Sequence, residues 1–347
     1  MDFIELINDG VGKKASDIHI TVGLPAVYRI NGELVKADNY VLTPEDTEKM
    51  AMSVLNDRQK EVLKEKGEID ISFSIHGVGR YRINIFRQRG SHCMAIRVIP
   101  LNIPSMEELG LPMIVNDLTE LRNGLILVTG PTGSGKSTTL AYMIDRINSE
   151  KSYHILTLED PIEYLHRHKK SIVNQREMGS DSVSYANGLR AALRQDPDVI
   201  LIGEMRDMET IGIALTAAET GHLVLSTLHT LDAANTVDRV IDVFPSDQQH
   251  QIRVQFASVI QATISQQLLP RADGNGQVCA FEIMMATEAV RNLIREGKTH
   301  QLSTVIQTGS KYGMQTLDSS MLNLYRRNLI SRDTLMTRSM NPDMIRL

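Results

Sequence analysis

Apolar and polar residues alternate along several short segments in the first hundred residues. The segments AVYRING (26–32), GRYRINIF and MAIRVI follow this period of two, which predicts half-buried strands. AVYRING ends in Asn31-Gly32, a dipeptide typical of a tight hairpin turn. The segment TPEDTEKMAMSVL predicts a helix with Thr43 as its N-cap and acidic residues in its first turn. Residues 1–100 are therefore predicted to form an α+β domain with an antiparallel sheet.

A proline-rich segment follows this region. The segment PLNIPSMEELGLP (100–112) carries three prolines, which disfavour helix, so residues 101–120 are predicted to be a linker. Beyond it, the short apolar runs GLILVTG, HILTLEDP, DVILIGE and HLVLSTLH are separated by helical segments. Strands that alternate with helices predict a parallel sheet covered on both faces. We therefore predict an α/β protein with a second domain over 121–347, helical from about residue 270.

Composition excludes several classes of protein. The chain has 347 residues, of which 42% are hydrophobic and 23% charged, proportions ordinary for a folded globular protein. A net charge of −5 disfavours binding to nucleic acid through general positive charge. Two cysteines, Cys93 and Cys279, can form neither a disulfide framework nor a four-cysteine zinc site. Neither a signal peptide nor an apolar run of about 18 residues is found, so we expect a cytoplasmic protein.

Residues 130–137 read GPTGSGKS, the G-x-x-x-x-G-K-[ST] pattern of a phosphate-binding P-loop. Its glycines allow backbone N–H groups to converge on phosphate oxygens, and Lys136 adds a positive charge for the β- and γ-phosphates. The Ser137 hydroxyl is suited to Mg²⁺. The loop lies between an apolar strand and an amphipathic helix, as the motif requires. The predicted ATP-binding residues are Gly130, Pro131, Thr132, Gly133, Ser134, Gly135, Lys136, Ser137 and Thr138.

Three apolar runs end in side chains suited to phosphoryl transfer. DVILIGE ends in Glu204, and we expect its strand to lie beside the P-loop strand, where the carboxylate polarises the attacking water directly or through the metal. HILTLED ends in Glu159 and Asp160, at the sheet edge where ligands bind; the alternative is that this pair caps a turn. GHLVLSTLH places His222 and His229 about 23 Å apart on one strand, too far to share a metal. His229 could sense the γ-phosphate, whereas His222 is better suited to supporting a neighbour.

These motifs, in this order and spacing, resemble the Walker A, Asp box, Walker B and His box of the type II secretion and type IV pilus ATPase family. The resemblance covers essentially the whole chain. It implies a cytoplasmic homohexamer at the inner membrane, with a PAS-like N-terminal domain, a RecA-like ATPase domain and ATP between them. It also implies that Ser137, Glu159 and Glu204 hold Mg²⁺ and water, and that His222 and His229 form a His-box pair at the nucleotide.

The resemblance extends to two arginines of the N-terminal domain. Family arginines that reach the nucleotide match Arg82 in GRYRINIF and Arg97 in MAIRVI. An arginine placed against developing phosphate charge accelerates transfer strongly. Considered without the family, the favoured interpretation of both residues is that they are sheet-surface arginines that form salt bridges.

The family contains motors that extend pili and motors that retract them. Extension ATPases typically carry a four-cysteine metal motif, which two cysteines cannot build. Retraction ATPases carry an AIRNL-type motif, which reads AVRNL at 289–293 here, and GEMRD (203–207) also has the retraction form. The resemblance therefore implies pilus retraction and twitching motility, with an inner-membrane platform protein (PilC-like) as partner. Within this motif Val290, Leu293 and Ile294 form the apolar stripe of an amphipathic helix, and the alternative to a functional role is that the helix packs on its own subunit.

Other functions compete with retraction. The chain could be an extension or type II secretion ATPase, or a paralogue of the retraction motor. A nucleic-acid translocase is disfavoured by the acidic charge balance and by the presence of six Phe and no Trp to stack on bases. A ring that binds nucleotide without hydrolysis is disfavoured by the intact set of Lys136, Ser137, Glu159 and Glu204.

Overall fold

The structure of the protein is a computed structural model that describes residues 2–30, 32–75, 78–99 and 102–342. It divides into two compact units. Unit 1 is built from the chain up to Asn102 together with Glu163–Leu165, and unit 2 from Ile103–Ile162 and the chain from His166 onward. Each unit has its own sheet and its own hydrophobic core.

Unit 1 contains helices on an antiparallel sheet. Its described elements are α1 (Phe3–Gly12), β1 (Asp17–Ile20), β2 (Val27–Ile30), β3 (Glu33–Lys36), α2 (Pro44–Ser53), α3 (Asp57–Lys66), β4 (Glu68–Ile75), β5 (Gly79–Gln88) and β6 (Ser91–Ile99). The strands lie in the order β3-β2-β1-β6-β5-β4, and all pairs are antiparallel. In β5 the buried Tyr81, Ile83 and Ile85 alternate with outward residues, so one face of the sheet forms the core.

Two local predictions for this unit are confirmed. Thr43 caps α2 in a reciprocal capping box with Asp46, which satisfies N–H groups at the start of the helix. The strands predicted on either side of the hairpin turn pair as β2 and β3. Asn31 of the turn, and Pro100 at the predicted domain boundary, lie outside the described residues.

Unit 2 is a mainly parallel sheet with helices on both faces. Its described elements are α4 (Met106–Leu109), α5 (Ile114–Thr119), β7 (Gly124–Thr129), α6 (Lys136–Glu150), β8 (His154–Glu159), β9 (Ile172–Glu177), α7 (Tyr185–Ala192), β10 (Val199–Ile202), α8 (Met208–Glu219), β11 (Leu223–Leu228), α9 (Ala233–Asp242), α10 (Ser246–Val259), β12 (Ile260–Pro270), β13 (Gln277–Met285), α11 (Glu288–Arg295), α12 (Leu302–Thr308), α13 (Leu317–Arg326) and α14 (Arg332–Arg338), with short 3-10 helices at Thr299–Gln301 and Ser310–Tyr312.

The sheet of unit 2 has the order β13-β12-β7-β11-β10-β8-β9, in which only the described pair β12–β13 is antiparallel. Strand β7 is buried along its whole length. Its Leu125 and Leu127 enter the core beneath α7–α12, whereas Ile126 and Val128 enter the core beneath α5 and α6. Burial on both faces explains why these strands appear in the sequence as continuous apolar runs.

Three features of unit 2 differ from the sequence-based expectations. The strand β10, which precedes Glu204, does not lie beside β7, because β11 is inserted between them. The predicted linker over 101–120 contains α4 and α5, and its Leu111, Val115 and Leu118 pack in the core of unit 2. The region beyond residue 270 is not helical from its start, because β13 extends the sheet before α11 begins. No described helix combines the length and the apolar character needed to cross a bilayer.

Candidate active site

The P-loop connects the carboxyl end of β7 to the first turn of α6. Gly130, Gly133 and Gly135 have φ angles of +142°, +78° and +89°, which disfavour residues with a side chain. At Gly130 a Cβ atom would also lie 2.4 Å from the backbone oxygen of Gln266 and 2.5 Å from Ser134 Oγ. The loop therefore requires glycine at Gly130 both for its backbone angle and for space.

Lys136 is the first residue of α6, and its side chain is buried. Its Nζ donates to the carbonyl oxygens of Gly130 (2.8 Å) and Pro131 (3.0 Å) and lies 3.5 Å from His229 Nδ1. No side chain caps this helix. A bare helix N-terminus with a buried ammonium beside it is an anion site, which matches the chemistry of a nucleotide phosphate.

Strand order brings two of the predicted catalytic side chains to the P-loop edge of the sheet. His229 follows β11, the neighbour of β7, and Glu204 follows β10, the next strand. His229 Nε2 lies 3.5 Å from Glu204 Oε2, and Arg206 Nε lies 2.7 Å from Glu204 Oε1. The Glu204 side chain is only 17% exposed. Lys136, His229 and Glu204 thus form one contiguous chain of side chains.

Glu159 ends β8, the strand next to β10, and its carboxylate is held by two donors. Thr157 Oγ1 donates to Glu159 Oε1 over 2.6 Å, and Gln175 Nε2 donates to the same oxygen over 3.1 Å. The sequence motifs do not identify Gln175, because it lies on the separate strand β9 and is placed here only by the β8–β9 register.

Tyr185 is a second residue that the motifs miss. Its hydroxyl lies 2.9 Å from where a Cβ atom on Gly203 would stand, so the glycine leaves room for it. Burial raises the pKa of this phenol above its usual range, and the negative charges of Glu204 and Asp160 raise it further. Tyr185 therefore stays neutral near these carboxylates.

A cavity of about 370 Å³ opens beside the P-loop. Gly135, Thr138 and Thr139 line one side, and Gln266 of β12 and Cys279 of β13 are among the residues opposite. The volume is in the range of pockets that hold small molecules and cofactors. The four sequence motifs supply only the P-loop side of this cavity, because its other lining residues come from α4, β12, β13, α13 and the loops beside them.

A family model described as type II/IV secretion system protein matches residues 3–310 of the chain. The chain belongs to this family. The resemblance inferred from the four motifs is thereby confirmed.

Among curated relatives, the type IV pilus retraction ATPase PilT of Pseudomonas aeruginosa is 46% identical over 343 residues, which span 99% of each chain. The type IV pilus ATPase PilU of the same organism is 38% identical and covers all of this chain and 91% of its own. A crystal structure of the pilus retraction motor PilT with bound ADP has 50% identity and a TM-score of 0.93, covering 99% of both chains. The predicted α/β fold class, an antiparallel-sheet domain followed by an ATPase domain with C-terminal helices, is confirmed.

His222 is not brought to this site within the chain. It precedes β11 at the end of the strand opposite to His229, and its Nδ1 lies 2.9 Å from the carbonyl oxygen of Ala217. The implied role of His222 in nucleotide binding therefore has no support in the geometry of unit 2. Its contacts agree with the structural role that the residue pattern alone favoured.

Arg82 and Arg97 are directly opposite each other on β5 and β6 of unit 1. Arg82 Nε lies 3.7 Å from Asp70 Oδ1, and Arg97 Nε lies 3.0 Å from Asp17 Oδ1. The side chains are 46% and 67% exposed. Both arginines thus form sheet-surface salt bridges, and their contact with a nucleotide stays a prediction.

The AVRNL segment lies within helix α11, which begins one residue earlier at Glu288. Val290 and Ile294 are buried in the core of unit 2, and Leu293 packs against the same core. Arg291 donates to the carbonyl oxygens of Ala257 (2.5 Å) and Ser258 (2.9 Å) near the end of α10. The apolar stripe therefore packs on its own subunit, as the alternative held.

Proposed function

We propose that this protein is the ATPase motor of type IV pilus retraction, and that it drives twitching motility. The observation that carries the proposal is the chain of Lys136, His229 and Glu204 at the end of the P-loop sheet. These contacting side chains connect Lys136, which binds the terminal phosphates, with Glu204, whose carboxylate acts on water. The similarity over the full length to a pilus retraction ATPase supports the proposal that ATP hydrolysis powers retraction.

In this proposal ATP lies along the P-loop, with its phosphates at the start of α6 and its nucleoside in the adjoining cavity. The Nζ of Lys136 exchanges the carbonyl oxygens of Gly130 and Pro131 for phosphate oxygens. These carbonyls hold the ammonium at the loop beforehand, so little reorganisation is needed when ATP binds.

Mg²⁺ is assigned to Ser137, Glu159 and Glu204. The donor set fits this ion, since it combines a hydroxyl with carboxylates, and Mg²⁺ in phosphate sites is usually held by one or two carboxylates plus the phosphates. In keeping with that, the described residues contain no cluster of three or more His, Cys, Asp or Glu that could hold a metal alone. When bound, the ion neutralises developing phosphate charge. Glu204 orients and polarises the attacking water. His229 connects the Glu204 carboxylate to Lys136, which binds the phosphates.

The assembly we propose is a homohexamer at the cytoplasmic face of the inner membrane. It acts on the PilC-like platform protein, and Arg82 and Arg97 supply positive charge to the nucleotide. Retraction rather than extension is favoured because the AVRNL segment is present. The two cysteines, one in β6 and one in β13, also cannot form a four-cysteine metal motif.

Hydrolysis of ATP by the purified protein tests this proposal. We expect Mg²⁺-dependent release of phosphate from the wild-type protein and none from Lys136→Ala. Lys170→Ala is the matched control, since Lys170 is an exposed lysine of unit 2, and it should keep the wild-type rate. Equal rates for the wild type and Lys136→Ala would contradict the assigned site.

A further inference from the structure

We infer that Gln175 is a positioning residue for ATP hydrolysis, which acts by fixing the carboxylate of Glu159. The inference rests on the proposed function, because it assigns Gln175 a part in the same reaction. Gln175 belongs to none of the four motifs. It lies in β9, the edge strand of the described sheet, one strand beyond Glu159.

The side-chain amide of Gln175 contacts two groups at once. Its Nε2 donates to Glu159 Oε1 over 3.1 Å, and its Oε1 accepts from the backbone N–H of His166 over 2.8 Å. A backbone N–H can only donate, so the carbonyl end of the amide must face His166. The NH₂ end is thereby directed at Glu159, and the donor is locked in place by the second contact.

Two donors converge on the same oxygen of Glu159. The buried residue Thr157, two positions before Glu159 in β8, donates its hydroxyl to Oε1. Gln175 donates to the same oxygen from the neighbouring strand β9. Together they restrict rotation of the carboxylate about its last bond. A carboxylate that must hold a metal ion or water works best when its own orientation is fixed by such partners.

The segment that follows Glu159 is anchored by the same strand. Gln175 holds the backbone of His166, and the buried carboxylate of Glu177 accepts from the backbone N–H of Ile162 over 3.1 Å. Alternate residues of β9 thus hold the backbone of Ile162 and that of His166. Gln175 differs from Glu177 because it contacts the predicted catalytic group as well as the backbone.

Substitutions of Gln175 separate these two contacts. Gln175→Ala removes both. Gln175→Glu has the same size and keeps an acceptor for His166, but it replaces the donor to Glu159 with a second negative charge. Asn174→Ala is the matched control, because the Asn174 amide lies next in β9 and contacts His154 instead.

We would measure kcat, KM for ATP and the melting temperature of each full-length variant. Gln175→Ala should lower kcat by about 10- to 100-fold with little change in KM, as is typical when a partner of a ligating group is lost. Gln175→Glu should be at least as impaired, whereas Asn174→Ala should match the wild type. In a Glu159→Ala background, Gln175→Ala should cause no further loss of kcat, because the group it positions is gone.

Three results would overturn the inference. The first is wild-type kcat in Gln175→Ala, and the second is normal kcat in Gln175→Glu, which would mean that only the His166 contact matters. The third is a full additional loss in the Glu159→Ala background, which would indicate a structural effect independent of Glu159. If Gln175→Ala does not fold, the isosteric Gln175→Glu decides the question. A wild-type protein without turnover would instead overturn the proposed function, and this inference with it.

Discussion

Glu282 of β13 is a buried carboxyl group that should make the stability of unit 2 depend on pH. Its Oε1 accepts from the backbone N–H of Ala233, the first residue of α9, over 2.9 Å. Burial raises the pKa of Glu282 to about 7 from an ordinary value of 4.5. The Ala233 hydrogen bond opposes this increase, and the negative charge of Asp232 adds to it.

The increase in the pKa of Glu282 corresponds to about 3 kcal/mol. Below pH 4.5 the group is protonated in both the folded and the unfolded chain, so it has no effect. Between pH 4.5 and about 7 the folded chain retains a proton that the unfolded chain has lost, and stability falls as the pH rises. Above about pH 7 the full cost of a buried charge applies.

Glu282→Gln removes this pH dependence, because an amide does not ionise and its oxygen still accepts the hydrogen bond from the Ala233 N–H. Relative to the wild type, the variant should gain about 3 kcal/mol between about pH 4.5 and pH 8. For a unit of this size that gain is roughly 6 °C in melting temperature. Thermal unfolding at a series of pH values measures it, with Glu288→Gln as the control, since Glu288 is exposed on α11. A melting-temperature difference that is the same at every pH would show that Glu282 does not titrate differently in the folded and unfolded chains.

Three further predictions concern the nucleotide site. Glu204→Ala should leave ATP binding intact and abolish turnover, and an unchanged turnover rate would exclude its assigned role. Gly130→Ala should abolish ATP binding in a direct binding assay, because the new Cβ would lie 2.4 Å from the backbone oxygen of Gln266; wild-type affinity would show that the loop adapts. Arg97→Ala should lower the hydrolysis rate, whereas substitution of the exposed Arg58 by Ala should not. Equal rates for the two variants would mean that Arg97 forms its salt bridge with Asp17 and has no part in hydrolysis.

Local chemistry in the chain was enough to predict much of the fold. The capping signal at Thr43 and the period-two segments of unit 1 correspond to α2 and to paired strands, because both depend on neighbours a few residues away. The order of the strands in unit 2 does not follow from such signals. Strand β11 lies between β7 and β10 although it follows both in sequence. Its position is determined by pairing between strands that are far apart in the sequence.

The residues of the candidate site likewise fall into those that local sequence motifs identify and those that they do not. Lys136, Glu204 and His229 lie within recognisable motifs, and the structure joins them. Gln175 and Tyr185 are placed at the site by the alignment of separate elements, so no local pattern in the sequence marks them. The segment before β7 shows the opposite error. Its prolines suggest an extended linker, whereas Pro104 and Pro112 lie outside the short helices α4 and α5, which belong to unit 2.

Counting pili on cells tests whether this motor retracts pili. The gene would be deleted in a piliated source strain, and surface pili counted by electron microscopy after complementation with the wild-type gene or with Glu204→Ala. The account predicts an excess of pili in the deletion strain that only the wild-type gene relieves. Cells without pili would contradict it, because they would show that the motor extends pili instead.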